Sequence, residues 1–125
     1  MSARARIVIV TYNAGAFVDA AIESALAQTV PCEVVIVDNA SSDGTLAYLA
    51  TLADPRIRVI TRDRNRGPSA ARNAGLAAAR ADIVAFLDSD DIYRAGRLAA
   101  PLAAFAADCG LVATLSSVAS GIAAR

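Results

Sequence analysis

The chain has 125 residues, 56% hydrophobic and 19% charged, with a formal net charge of zero. That is enough for one domain with a buried core, and too apolar for a disordered chain. Its cations are twelve Arg with no Lys, against ten Asp and two Glu, and it has no His. Nothing therefore draws the chain as a whole to nucleic acid or anionic lipid, and His-ligated zinc, Ser-His-Asp triads and Cys-His dyads are excluded. Cys32 and Cys109 are too few for a disulfide framework and read as small buried hydrophobes in a reduced compartment.

Short β-branched runs alternate with longer Ala-rich ones. Arg6 to Thr11 predicts a first strand, apolar on both faces. Ile7 to Val10 is too short for a signal-peptide core. Gly15 to Gln28 predicts a helix that Pro31 stops. Glu33 to Asp38 predicts a second strand, and Ser42 or Asp43 caps a helix over Thr45 to Ala53 that Asp54-Pro55 ends. Arg56 to Thr61 alternates, which predicts a less buried edge strand. Ser69 to Arg80, begun by Pro68 or Ser69, predicts a third helix. Asp82 to Leu87 predicts a fourth strand, and Ala95 to Ala107 a fourth helix with Pro101 at a first turn or kink. Leu111 to Leu115 is a candidate fifth strand, and Ser116 to Arg125 has no clear type. Pro101, Asp108, Gly110 and Ser116-Ser117 interrupt the weakly polar stretch from Leu98 to Ala124, so it is a poor membrane span.

Alternating strands and helices predict an α/β fold: a parallel sheet with helices on both faces. No linker or repeat divides the chain, so residues 1–125 read as one cytoplasmic domain, with 111–125 as a tail of undefined type.

Open parallel sheets bind ligands beyond the carboxyl ends of their strands. Polar residues gather at those ends here: Thr11-Tyr12-Asn13, Asp38-Asn39, Arg62 with Arg64, Asn65 and Arg66, and Asp88-Ser89-Asp90-Asp91. Asp88, Asp90 and Asp91 repel one another, by about 4 kcal/mol for a pair about 4 Å apart at an effective dielectric of about 20. A hard cation, Mn²⁺ or Mg²⁺, offsets that repulsion and takes carboxylate and phosphate oxygens. The plainer alternative is that these residues cap a following turn. Asp38-Asn39 is either an Asx turn or a clamp for a base and ribose. Tyr12 either stacks on a base or covers the sheet edge. The Arg62, Arg64 and Arg66 series either holds a diphosphate or is a solvated face. Arg72 and Asn73 either point at the site or lie on the surface.

Four segments together resemble the nucleotide-binding half of a family 2 glycosyltransferase with the GT-A fold. They are Val8-Ile-Val-Thr-Tyr-Asn13, Val35-Ile-Val-Asp-Asn-Ala-Ser-Ser-Asp-Gly-Thr45, Asn65-Arg-Gly-Pro-Ser-Ala-Ala-Arg-Asn-Ala-Gly75 and Phe86-Leu-Asp-Ser-Asp-Asp91. The resemblance covers roughly the first hundred residues. It implies metal-dependent transfer of a sugar from a nucleoside diphosphate sugar to an acceptor hydroxyl, with inversion. Thr11, Tyr12 and Asn13 would line the base pocket, and Asp38 and Asn39 would hold the pyrimidine and ribose. Arg66, Arg72 and Asn73 would lie near the donor. Asp88 would face the ribose and metal, Asp90 would bind the metal and Asp91 would support it.

Two departures bear on this. Asn39 stands where the family often has a second acid, a variant that resembles rhamnosyltransferase-like members and implies a uridine or deoxythymidine donor. Also, the only acid after Asp91 is Asp108, with no matching motif around it. The catalytic base is therefore expected beyond Arg125, and the chain reads as a truncated donor half. The alternative is a nucleotide-sugar-binding module without turnover, with self-association across exposed sheet a further possibility. A response-regulator receiver is excluded, since it needs an acidic pair after the first strand and a late Lys. A dinucleotide-binding dehydrogenase is excluded because G-x-G-x-x-G does not follow the first strand. A haloacid-dehalogenase-type phosphatase is excluded because its acids follow the first strand.

Overall fold

The computed structural model describes residues 5–29, 31–79, 83–99, 118–119 and 122–123. Four strands, β1 (Ala5–Thr11), β2 (Cys32–Asp38), β3 (Ile57–Thr61) and β4 (Ile83–Asp88), form one parallel sheet in the order β3-β2-β1-β4. Of the apolar strands, β1 and β2 are central, whereas β4, equally apolar in sequence, closes the other side of the described sheet with Phe86 39% exposed. Alternating β3 is an edge strand, with Arg58 and Val59 exposed.

Helices cover both faces. On one, Ile7, Ile9, Val34 and Ile36 pack with Val18, Ala21, Ile22 and Ala25 of α1 (Val18–Leu26) and Leu49 of α2 (Thr45–Ala50). On the other, Val8, Val35 and Val37 pack against Ala71 and Ala79 of α3 (Pro68–Ala79). Fully burying an Ile or Val contributes about 1.5–3 kcal/mol, and Ile7, Val8, Ile9, Val34, Ile36 and Val37 are all fully buried.

Helix ends differ from the sequence expectation. The predicted Gly15–Gln28 helix opens as a 3-10 turn over Gly15–Phe17 and ends at Leu26. Asn13 and Gly15 have φ of 49° and 55°, which turns the chain sharply after β1. α2 ends at Ala50 rather than Ala53. There the Thr51 hydroxyl and N–H both bond to the Tyr48 carbonyl, at 2.6 and 3.0 Å, and Leu52 N–H bonds to Leu49 O, so the chain tightens into i→i+3 geometry before Asp54. α3 starts at Pro68, the first-turn position proline favours. Of the predicted Ala95–Ala107 helix, residues 95–98 form turns, with Ala99 N–H bonded to Gly96 O; Ala100 to Ala107 lie outside the described residues. So do Cys109 and the predicted strand Leu111–Leu115. Within the stretch the sequence leaves untyped, β5 (Val118–Ala119) pairs antiparallel with β6 (Ile122–Ala123).

Hydrogen bonds tie the segment after β4 to α1 and the turn that follows it. Tyr93 N–H donates to Ser24 Oγ at 3.0 Å, Gln28 Nε2 donates to Arg94 O at 2.8 Å, and Leu98 N–H donates to Gln28 Oε1 at 3.1 Å. The acidic turn thereby runs from β4 on one side into a segment held against the end of α1 on the other. Among the described residues no helix is long and apolar enough to cross a membrane.

Candidate functional site

Parallel register brings the carboxyl ends of the strands level. Thr11 pairs with Asp38, Asp38 with Thr61, and Val10 with Asp88. Two adjoining clefts open on this rim, sharing Tyr12 and Ser89. One, of about 340 Å³, is lined by Asn39, Asn65, Pro68, Arg72 and Asp88 among others. The other, of about 480 Å³, is lined by Asn13, Phe17 and Asp90 among others.

Asp38 is fully buried and takes the Asx-turn geometry. Its carboxylate accepts from Ser41 Oγ at 2.6 Å and from Ser41 N–H at 3.0 Å, while Ala40 sits at φ 67°. It lines neither cleft. Asn39 does line the first. Its N–H donates to Thr11 O at 2.8 Å, and its side-chain Nδ2 donates to Asn65 Oδ1 at 2.7 Å. Asn39 Oδ1 and Thr11 Oγ1 are buried and have no partner, a condition that costs about 1–3 kcal/mol per group.

Tyr12 is 49% exposed and lines both clefts, so its ring is open to a ligand. Asn13 stitches the loop after β1 to the loop after β2. Its Oδ1 accepts from Ser42 N–H at 2.8 Å and Asp43 N–H at 3.3 Å, and its own N–H donates to Ser41 Oγ at 2.9 Å. Asp43, not Ser42, serves the start of α2: it accepts from Thr45 N–H at 2.9 Å and from the Thr45 hydroxyl, and these bonds hold its carboxyl below the usual 3.8.

The carboxylate oxygens of Asp88, Asp90 and Asp91 lie within 4.8 Å of one another. Asp91 is buried, and its N–H closes the turn on Asp88 O at 3.0 Å. Three hard oxygen donors this close could hold a divalent cation. Arg72 of α3 reaches Asp88, Nη2 to Oδ1 at 3.3 Å, with both side chains 42% exposed. At that exposure the pair contributes at most about 1 kcal/mol. Of the other sequence candidates, Arg66 and Asn73 are exposed and line neither cleft. Asn65, Phe17 and Ser89 were not singled out by the sequence as site residues. Asn65 and Ser89 carried a signal, as polar residues at strand ends within the third and fourth resembling segments; Phe17 carried none.

A family model described as Glycosyl transferase family 2 matches residues 6–122. Succinoglycan biosynthesis protein ExoO of Rhizobium meliloti (strain 1021) is 54% identical over 92 residues, covering 73% of this chain and 26% of the relative. Among solved structures, S. aureus TarS 1–349 in complex with UDP-GlcNAc aligns with a TM-score of 0.76 at 28% identity, over 83% of this chain and 31% of that one. The mannosyltransferase PcManGT from Pyrobaculum calidifontis, in complex with GDP-Man and Mn²⁺, aligns with a TM-score of 0.75 at 28% identity, over 86% and 33%. The chain thus spans about a quarter of the curated relative and about a third of each solved enzyme.

Proposed function

The chain belongs to glycosyl transferase family 2 and has its Rossmann-like GT-A architecture; from this we propose that it is the donor-binding part of an enzyme that moves a sugar from a nucleoside diphosphate sugar to an acceptor hydroxyl. One observation carries the reading: the three-carboxylate cluster adjoins a cleft lined by Asn39, whose buried Oδ1 has no partner. A diphosphate needs the first feature and a nucleobase the second.

In this reading Tyr12 stacks on the base, and Thr11 and Asn39 offer it hydrogen bonds. Asp38, from within its Ser41 turn, shapes the base and ribose pocket, and Asn13 braces the neighbouring loops. Arg72 lies on the diphosphate side, where a guanidinium pairs well with phosphate oxygens. Asp88 and Asp90, with Asp91 in support, hold Mn²⁺ or Mg²⁺, which when bound neutralises charge developing on the diphosphate leaving group. The printed ligands of TarS and PcManGT, UDP-GlcNAc and GDP-Man with Mn²⁺, support a nucleotide-sugar donor and a metal. Asn39 favours a uridine or deoxythymidine donor. ExoO's place in succinoglycan biosynthesis supports a role in cell-envelope polysaccharide assembly, and a free, buried Cys32 fits a reducing cytoplasm.

An inverting displacement needs a base for the acceptor proton. Among the described residues, the acids lining the two clefts are Asp88 and Asp90, both in the cation cluster. This favours the second reading for the isolated chain: it binds donor without turning it over. Calorimetric titration with UDP, dTDP and GDP, with and without Mn²⁺, tests the donor site. Metal-dependent binding of a pyrimidine diphosphate is expected, and no binding by folded protein overturns it. Acceptor-dependent sugar transfer above a metal-free control would overturn the second reading.

A further inference from the structure

The orientation of the Asn39 side-chain amide is fixed by a short relay. Gly67 N–H donates to Asn65 Oδ1 at 2.8 Å. A backbone N–H can only donate, so the Asn65 amide must present its oxygen there. The same oxygen accepts from Asn39 Nδ2 at 2.7 Å. Gly67 O also faces Nδ2, at 3.4 Å. Asn39 is 3% exposed, so this orientation is set by protein groups rather than by bulk water. Its nitrogen is consumed, and its oxygen is left buried without a partner. Gly67 at φ 93° supplies the backbone bend that turns both its N–H and its carbonyl toward the pair.

We propose that Asn65 is a positioning residue that sets base selectivity by holding Asn39 with its carbonyl oxygen, not its NH₂ group, available to the ligand. The inference rests on the donor-site reading above. An amide oxygen accepts, so it selects a base that presents a ring N–H. Uracil and thymine carry that donor at N3, whereas cytosine carries an acceptor there. A reversed Asn39 amide would present NH₂ and invert the preference. Selectivity at this position therefore belongs to a residue in the loop after β3, acting on one at the end of β2.

Calorimetric titration of the full chain with UDP and CDP in the presence of Mn²⁺ separates the outcomes. The unmodified chain is expected to prefer UDP. Asn65→Asp keeps the accepting oxygens and is expected to keep that preference. Asn65→Leu removes them, and the UDP:CDP affinity ratio is expected to fall by about three- to tenfold, the worth of one hydrogen bond. Asn65 is exposed, so neither substitution removes core packing, and circular dichroism checks that both variants stay folded. Equal weakening of UDP and CDP in Asn65→Leu would make Asn65 a merely structural residue and overturn the inference while leaving the donor site standing. Equal affinity of the unmodified chain for the two nucleotides would overturn it as well. Failure of the unmodified chain to bind either one would overturn the donor-site reading and this inference with it.

Discussion

Gly75 of α3 lies against Val8 of β1 so closely that a methyl group on its Cα would overlap the Val8 side chain and sit 3.2 Å from Val37 Cγ2. The helix rides on the sheet at this point, and its second face is buried there. In an exposed helix, Gly→Ala is stabilising by about 1 kcal/mol. Here the contact reverses the sign: Gly75→Ala is expected to destabilise by about 1–3 kcal/mol, the usual cost of overpacking. Urea denaturation checks it through a lower midpoint at unchanged slope. Val8→Ala should cost less in the Gly75→Ala background than alone, because the two sites share one contact.

Asp90→Asn removes a carboxylate charge from the Asp88, Asp90 and Asp91 cluster. Loss of even an outer-shell partner costs about 10–100-fold in metal affinity, and loss of a ligand should cost no less. UDP affinity measured with Mn²⁺ is expected to drop to its metal-free value, with the fold unchanged because Asp90 is exposed. An undiminished Mn²⁺ effect would remove Asp90 from the cation site.

Asp38→Ala leaves the Ser41 N–H and hydroxyl without the acceptors they use. The turn after β2 should weaken, at a cost of about 1–3 kcal/mol. Nucleoside binding should weaken with it even without metal, because Asn39 follows directly in the chain. Thermal denaturation reads the first effect, and a uridine titration reads the second.

Asp43 ties the loop after β2 to the first turn of α2. The bonds from Thr45 keep its carboxyl below the ordinary 3.8 in the folded chain. Its contribution to stability is therefore complete above the ordinary carboxylate range and is lost as pH falls through the lowered folded value. Asp54, held down by Arg56, follows the same course. Asp43→Asn should flatten part of the acid limb of a stability–pH curve and leave the neutral plateau nearly unchanged in shape. An identical acid limb in the variant would show that Asp43 does not contribute.

The apolar runs Ile7 to Val10 and Val34 to Val37 mark strands buried on both faces, and the alternation in Arg58-Val59-Ile60 marks an edge, but the equally apolar Ile83 to Leu87 ends the described sheet on the other side, so apolarity alone did not fix the strand order. Those two patterns locate the strand ends, and hence the rim, from the sequence. Helix ends were less legible. The early end of α2 depends on the Thr51 hydroxyl finding the Tyr48 carbonyl, a choice that propensity does not encode. The Asp38 turn was legible only as one of two local options, because the same side-chain oxygens serve an Asx turn or a ligand. Asn65 was hidden for a different reason: its bond to Asn39 spans 26 positions and forms only when β2 and the loop before α3 are already side by side.

The central position of β1 has a consequence for synthesis. Its neighbours in the sheet are β2, which follows soon after it, and β4, which begins only at Ile83. While the nascent chain is short, one long side of β1 offers unpaired backbone groups flanked by Ile7 and Ile9. An open apolar edge is a template for wrong partners. β1 thus waits for its second neighbour until β4 has been made, and slow translation between residues 38 and 83 would prolong its exposure to other chains.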